Sequence, residues 1–279
     1  MTDYRRFEPA KGGLKRTLQA TTVVLALWPM TGEAPAQLVA CGGDYVCLPE
    51  ALATGPTSFR EQSPVLARVV SAATDPRCPA IPVDVIAESP KERTVACSAA
   101  GTALELLGQC GIAPRRPLHL EILRNVRHPF GKHSIFGFFD HRLETVFVTQ
   151  EANVESLVAG TPYSELPRRA FYRSLIVHEV VHGVMHQNLK RQPTSHAAHE
   201  YPAYALQIAS LPADERSKFL RAIPNNAGPH DYFLNDNVLL FDPFYFAAHA
   251  YRHFSTSDGC AHLAELLQGE VAFIPTLPP

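Results

Sequence analysis

The stretch His178-Glu179-Val180-Val181-His182 holds residue types at a spacing that can do chemistry. On a helix, residues four apart lie one turn apart on the same face, so both imidazoles can reach one metal ion. The glutamate beside the first histidine sits on the edge of that face. From there it can take a proton from an activated water without being a ligand itself. A hydrolytic zinc site takes three protein ligands and leaves one position for water. The candidates for the third are His186, His196, His199 and Glu200. His186 continues the helical stripe, but another turn along, about 6 Å beyond His182, which would strain a shared tetrahedral site. Glu200 fits best. The helix runs on for roughly 12 Å after His182, and a loop at about 3.3 Å per residue easily covers the way back. His196 and His199 stay open as alternatives.

These residues need elements to hold them. After Pro167 the sequence predicts a helix over Arg168–Lys190, with Phe171, Leu175, His178, His182 and Met185 at three- and four-residue intervals. Val177, Val180, Val181 and Val184 fill its other sides, and a helix apolar nearly all round belongs in the interior. Pro193 ends it, a polar loop follows, and a second helix is expected from about Glu200 to Ser210. Upstream, Leu118–Leu123 alternates as a strand does. Ile135–Phe139 and Glu144–Thr149 read as a hairpin, and Pro82–Ala87 as a further strand. Helices are expected over Val65–Ala73, over Ser98–Gln109 with Gly111 as its stop, over Phe241–Phe254 and over Ala261–Leu267. The expected class is α+β: a small, mostly antiparallel sheet followed by the histidine-bearing helix and further helices.

Residues 1–36 stand apart. Arg5, Arg6, Lys11, Lys15 and Arg16 precede the short apolar run Thr21–Met30, and Ala34-Pro35-Ala36 follows. A positive start, an apolar middle and an A-x-A end form a secretory signal peptide, cleaved before Gln37. The apolar run is about half the roughly twenty residues of a membrane-spanning helix, so no stable span is expected after cleavage. All six cysteines lie beyond that point, which fits disulfides in an oxidising compartment, periplasmic or extracellular. The spacing of Cys41 and Cys47 favours a local loop, and Cys260 needs a partner from the amino-terminal part. Residues 37–112 form a Cys- and Pro-rich segment, and 113–279 the main domain. A net charge of −2 with both signs scattered excludes a basic nucleic-acid surface.

The arrangement HEVVH, a short polar loop and then EYPAYALQ resembles the gluzincin branch of the HExxH zinc metallopeptidases (zincins), in which a glutamate on the next helix completes the site. LHLEIL, IFGFFD and ETVFVT resemble the small sheet that precedes the active-site helix in that fold. The resemblance implies a zincin-like domain with one Zn2+ held by His178, His182 and Glu200, and with Glu179 as the general base. It also implies an edge strand that pairs with an extended peptide substrate. The chain departs from the pattern at one place: many gluzincins carry an aspartate four residues after the ligand glutamate to orient a histidine, and here Tyr204 stands there. The metzincin branch is excluded, because Met185 and Asn188 occupy the positions of its glycine and third histidine. An oxyanion stabiliser would come from Tyr204, Tyr245 or His249. Two readings compete with an exported peptidase: a zincin-shaped binding or scaffold protein of the cell envelope without catalysis, and a cytosolic protein with a signal-like start. Cleavage preference and oligomeric state have no signature in the sequence.

Overall fold

The computed structural model describes residues 75–127, 133–191, 195–224, 230–256, 258–271 and 273, together with the backbone of two short antiparallel strands, β1 (Val39–Ala40) and β2 (Val46–Cys47). The expected signal peptide and the expected helix over Val65–Ala73 lie outside these residues.

The centre is a four-stranded sheet in the order β3 (Val83–Ile86), β4 (Leu118–Leu123), β8 (Thr145–Thr149), β7 (Gly137–Asp140). Leu118, Leu120 and Ile122 turn inward from β4 and are at most 1% exposed, which is what their alternation with polar residues requires. The hairpin signal is also realised. Strand β7 pairs antiparallel with β8, Asp140 opposite Thr145. The Asp140 carboxylate closes the turn by accepting from the backbone N–H groups of Arg142 and Leu143. The reading of residues 135–139 as one strand is corrected, because Ser134–Ile135 (β6) pairs instead with Val126–Arg127 (β5).

The α+β class holds, with one correction to the sheet. It is mixed rather than mostly antiparallel, since β3–β4 and β4–β8 run parallel and only β7–β8 is antiparallel. Parallel neighbours need a long crossover, and helix α1 (Pro90–Gln109) supplies it between β3 and β4. This helix is longer than expected at its start. Ser89 caps it by accepting from the Glu92 N–H, and Pro90 fills the first turn, where a missing N–H costs nothing. Residues before 113 therefore supply a strand and a helix of the same core as the residues after it.

Eight α-helices occur among the described residues. After a short turn of helix, α2 (Glu155–Val158), comes α3 (Arg168–Asn188), then α4 (His196–Ser210), α5 (Ala213–Ala222), α6 (Asp236–Phe241), α7 (Pro243–Thr256) and α8 (Gly259–Gln268). As its composition demands, α3 is interior, with Val177, Val180, Val181 and Val184 at most 1% exposed. It lies against α4, α1 and strands β7 and β8. At Gly183 a Cβ would come within 2.9 Å of the Leu118 side chain, so the glycine lets helix and sheet approach closely. Helix α4 starts four residues before Glu200, at His196, because Ser195 caps it by accepting from the Ala198 N–H.

Among the described residues, two disulfides tie the outer elements down: Cys78–Cys97 and Cys110–Cys260. Cys260 thus finds its partner in the amino-terminal part, as its isolation in the sequence requires, and joins α8 to the end of α1. The expected local loop between Cys41 and Cys47 lies outside the described side chains. No described helix is long and apolar enough to cross a membrane.

Candidate metal centre

Helix α3 presents His178 and His182 on one face, one turn apart, with their rings 4.8 Å apart and edge-to-face. Helix α4 packs alongside and brings Glu200 to both. The two Nε2 atoms are 3.1 Å apart. Glu200 Oε2 lies 3.3 Å from His178 Nε2, and Glu200 Oε1 lies 3.5 Å from His182 Nε2. Among the described residues this trio is the group of His, Cys, Asp and Glu side chains able to hold a metal ion. Ligands about 2.0–2.1 Å from a tetrahedral ion stand about 3.3 Å from one another. The separation of the two Nε2 atoms and the contact of each with its own Glu200 oxygen lie near that edge length. One ligand atom from each residue can be chosen within 4.8 Å of the others, so the three residues could hold a metal ion.

The alternatives for the third ligand fall outside the group. His186 packs against the rings of Phe139 and His141, while His196 and His199 belong to the turn of α4 that precedes Glu200. Of the three oxyanion candidates, Tyr204 is brought to the centre, with its ring edge-on to His178 at 4.6 Å between centroids. Tyr245 and His249 pack against each other and against Phe233.

Glu179, expected beside the metal face, is 5% exposed. Burial pushes its carboxyl above the ordinary carboxylate range, Glu200 adds to that, and the two histidines oppose it. Its carboxylate rests against strand β7. A Cβ built on Gly137 would lie 3.0 Å from Glu179 Oε1 and 2.6 Å from the Phe147 carbonyl oxygen, so a side chain here would force the strands or the carboxylate to shift. For Glu200 burial is again the largest influence, but the adjacent imidazoles, His182 first and then His178, outweigh it and hold the carboxyl well below its usual range. For His182, burial disfavours the charged ring, and Glu200 more than compensates, raising its pKa. Burial, reinforced by the charges of Glu200 and Glu179, holds the Tyr204 hydroxyl well above its ordinary value, so it stays a neutral donor.

Sequence reasoning missed Gln207. Its Oε1 lies 3.0 Å from His178 Nδ1, and its residue is 3% exposed. The signal was present in EYPAYALQ: Glu200, Tyr204 and Gln207 follow the i, i+4, i+7 rhythm of one helical face. The centre opens outward through Glu200, whose side chain is 28% exposed against 9% for His178. A cavity of about 250 Å3 lined by Val154, Val158, Tyr163, Leu166 and Phe171 lies beside the first turn of α3, and none of the four centre residues lines it.

No curated protein and no solved structure matches the chain. A family match covers residues 83–276, a span that runs from β3 past α8 and takes in the whole centre. The chain belongs to that family, DUF6639, a family of unknown function.

Proposed function

We propose that this protein is an exported zinc metallopeptidase in which His178, His182 and Glu200 hold one zinc ion and Glu179 is the general base. The observation that carries the reading is the convergence of the two imidazoles and the carboxylate: the Nε2 atoms are 3.1 Å apart, Glu200 Oε2 is 3.3 Å from His178 Nε2, and Glu200 Oε1 is 3.5 Å from His182 Nε2. Two imidazole nitrogens and a carboxylate oxygen are the donor set of hydrolytic zinc sites. A zinc ion held there supplies Lewis acidity, which acidifies water and polarises a carbonyl.

The remaining steps belong to the chain itself. Glu179, held by burial as a stronger base than an exposed carboxylate, takes the proton of the attacking water and passes it to the departing amine. Tyr204, kept protonated and with its ring edge-on to His178, would donate to the oxygen on which negative charge develops. Strand β7 ends the sheet order. An extended peptide added along it would pass Gly137, against which the Glu179 carboxylate lies. That juxtaposition supports a peptide as substrate. The disulfides support export, since such bonds persist in oxidising compartments.

The test is metal content combined with one substitution. The purified protein should carry about one zinc, and Glu179→Gln should keep the metal while abolishing cleavage of a mixed peptide library. Absence of stoichiometric zinc, or unchanged cleavage by Glu179→Gln, defeats the reading. Mass analysis of the secreted chain should show a start at Gln37.

A further inference from the structure

Resting on that metal-site reading, we infer that Gln207 is the positioning residue of the centre. It fixes the tautomer and plane of His178 and, through Ser174, the register between the two helices that carry the ligands. A carbonyl oxygen can only accept, so the 3.0 Å contact from Gln207 Oε1 requires the proton of His178 to sit on Nδ1. The lone pair of Nε2 then faces His182 and Glu200, as a metal ligand must. The other end of the amide is also engaged. Gln207 Nε2 donates to Ser174 Oγ at 3.5 Å, and Ser174 Oγ donates to the Phe171 carbonyl at 2.8 Å. Ser174 and Gln207 are 1% and 3% exposed, so water does not compete for these bonds.

The arrangement uses helical spacing twice. Ser174, His178 and His182 rise along α3 in steps of four, while Glu200, Tyr204 and Gln207 rise along α4 in steps of four and three. One face of α4 therefore holds the His178 ring on three sides: Glu200 at Nε2, Gln207 at Nδ1 and the Tyr204 ring edge-on. A slip between the helices would break the Gln207 bonds and withdraw Glu200 together. Gln207 does the orienting work of the aspartate that is missing at position 204, but from one turn further along and without charge. With a divalent ion, two neutral imidazoles and one carboxylate then leave the centre one net positive charge. A second carboxylate would cancel it.

The experiment uses the full chain and Zn2+ alone, with affinity measured by competition against a chromogenic chelator. Gln207→Leu should weaken zinc binding by roughly 10- to 100-fold, whereas Gln207→Glu, which still accepts from Nδ1, should bind at least as tightly as wild type. Should Gln207→Leu fold poorly, Ser174→Ala replaces it and should weaken binding several-fold. A second readout needs no metal. Nitrogen-resolved NMR of the metal-free protein should show His178 protonated at Nδ1 in wild type and Gln207→Glu, and a mixture of tautomers in Gln207→Leu. Zinc affinity of Gln207→Leu within threefold of wild type, or an unchanged tautomer, overturns the inference. A wild-type chain that binds no zinc yet shows the Nδ1 tautomer overturns the metal reading and leaves the positioning of His178 standing.

Discussion

Gly137→Ala should damage the protein through two contacts at once, and the structure supplies the magnitude. The added methyl would lie 2.6 Å from the Phe147 carbonyl oxygen and 3.0 Å from Glu179 Oε1, both well inside ordinary carbon–oxygen contact, so β7, β8 or the carboxylate must shift by several tenths of an ångström. Overpacking of this kind costs about 1–3 kcal/mol, which for a domain of this size lowers the thermal midpoint by roughly 3–10 °C. Denaturant titration measures the cost without any assumption about function. Repeating the substitution in a Glu179→Ala background separates the two contacts. With the carboxylate gone, Gly137→Ala should cost about 0.5–1.5 kcal/mol less, because residues in direct contact couple by such amounts. In the wild-type background, a carboxylate displaced by a large fraction of an ångström should also lose hydrolysis by up to about 100-fold. Wild-type stability in Gly137→Ala would refute the close approach of strand and helix. An equal cost in both backgrounds would refute the placement of the Glu179 carboxylate against Gly137.

Glu200→Ala should reduce zinc stoichiometry from about one to near zero, and the stabilisation that saturating zinc gives the wild type, about 2.7 kcal/mol at a hundredfold excess over Kd and read as a rise in thermal midpoint, should vanish. Tyr204→Phe should leave zinc content unchanged and lower kcat by about 100-fold with little change in KM, as removal of an oxyanion donor does; an unchanged kcat would remove Tyr204 from the chemistry. Replacing Cys110 and Cys260 together by alanine opens a bridge between residues 150 apart, and loop entropy sets the loss at about 5 kcal/mol; urea titration should find 2–5 kcal/mol.

The helices and strands that carry the centre were legible because their signals are local. The alternation in Leu118–Leu123 and the all-round valines of α3 each dictate one element, and each stands where expected. The convergence of His178, His182 and Glu200 was legible because four-residue spacing on a helix and the reach of a loop are plain geometry. Three things were not. The parallel pairing of β3 with β4 depends on a crossover helix whose first two turns, Pro90–Cys97, carry Lys91, Glu92 and Arg93 and precede the expected start at Ser98. The start of α4 hid in Ser195, an N-cap inside a stretch that reads as loop. Gln207 was overlooked because a search for an aspartate at a fixed offset does not see an amide one turn later. Only the packing of α4 on α3 reveals that it reaches His178.

The energetics of α3 support the proposed role of this centre. A helix walled by Val177, Val180, Val181 and Val184 has every means to complete an apolar core, and replacing buried polar groups with packed hydrophobic ones is often stabilising. Instead the helix places His178 and Glu179 among those valines at 7% and 5% exposure, with the Glu179 carboxyl pushed upward by the loss of water. Burying a carboxylate costs several kcal/mol unless it is fully compensated. The neighbouring helix then commits a second acid, Glu200, and an amide, Gln207, to the same ring. Four polar groups, His178, Glu179, Glu200 and Gln207, are thus gathered where α4 packs on α3, and two of them, His178 and Glu200, meet His182 at the candidate metal position. A cation bound there, as proposed, would offset part of the cost of burying these groups.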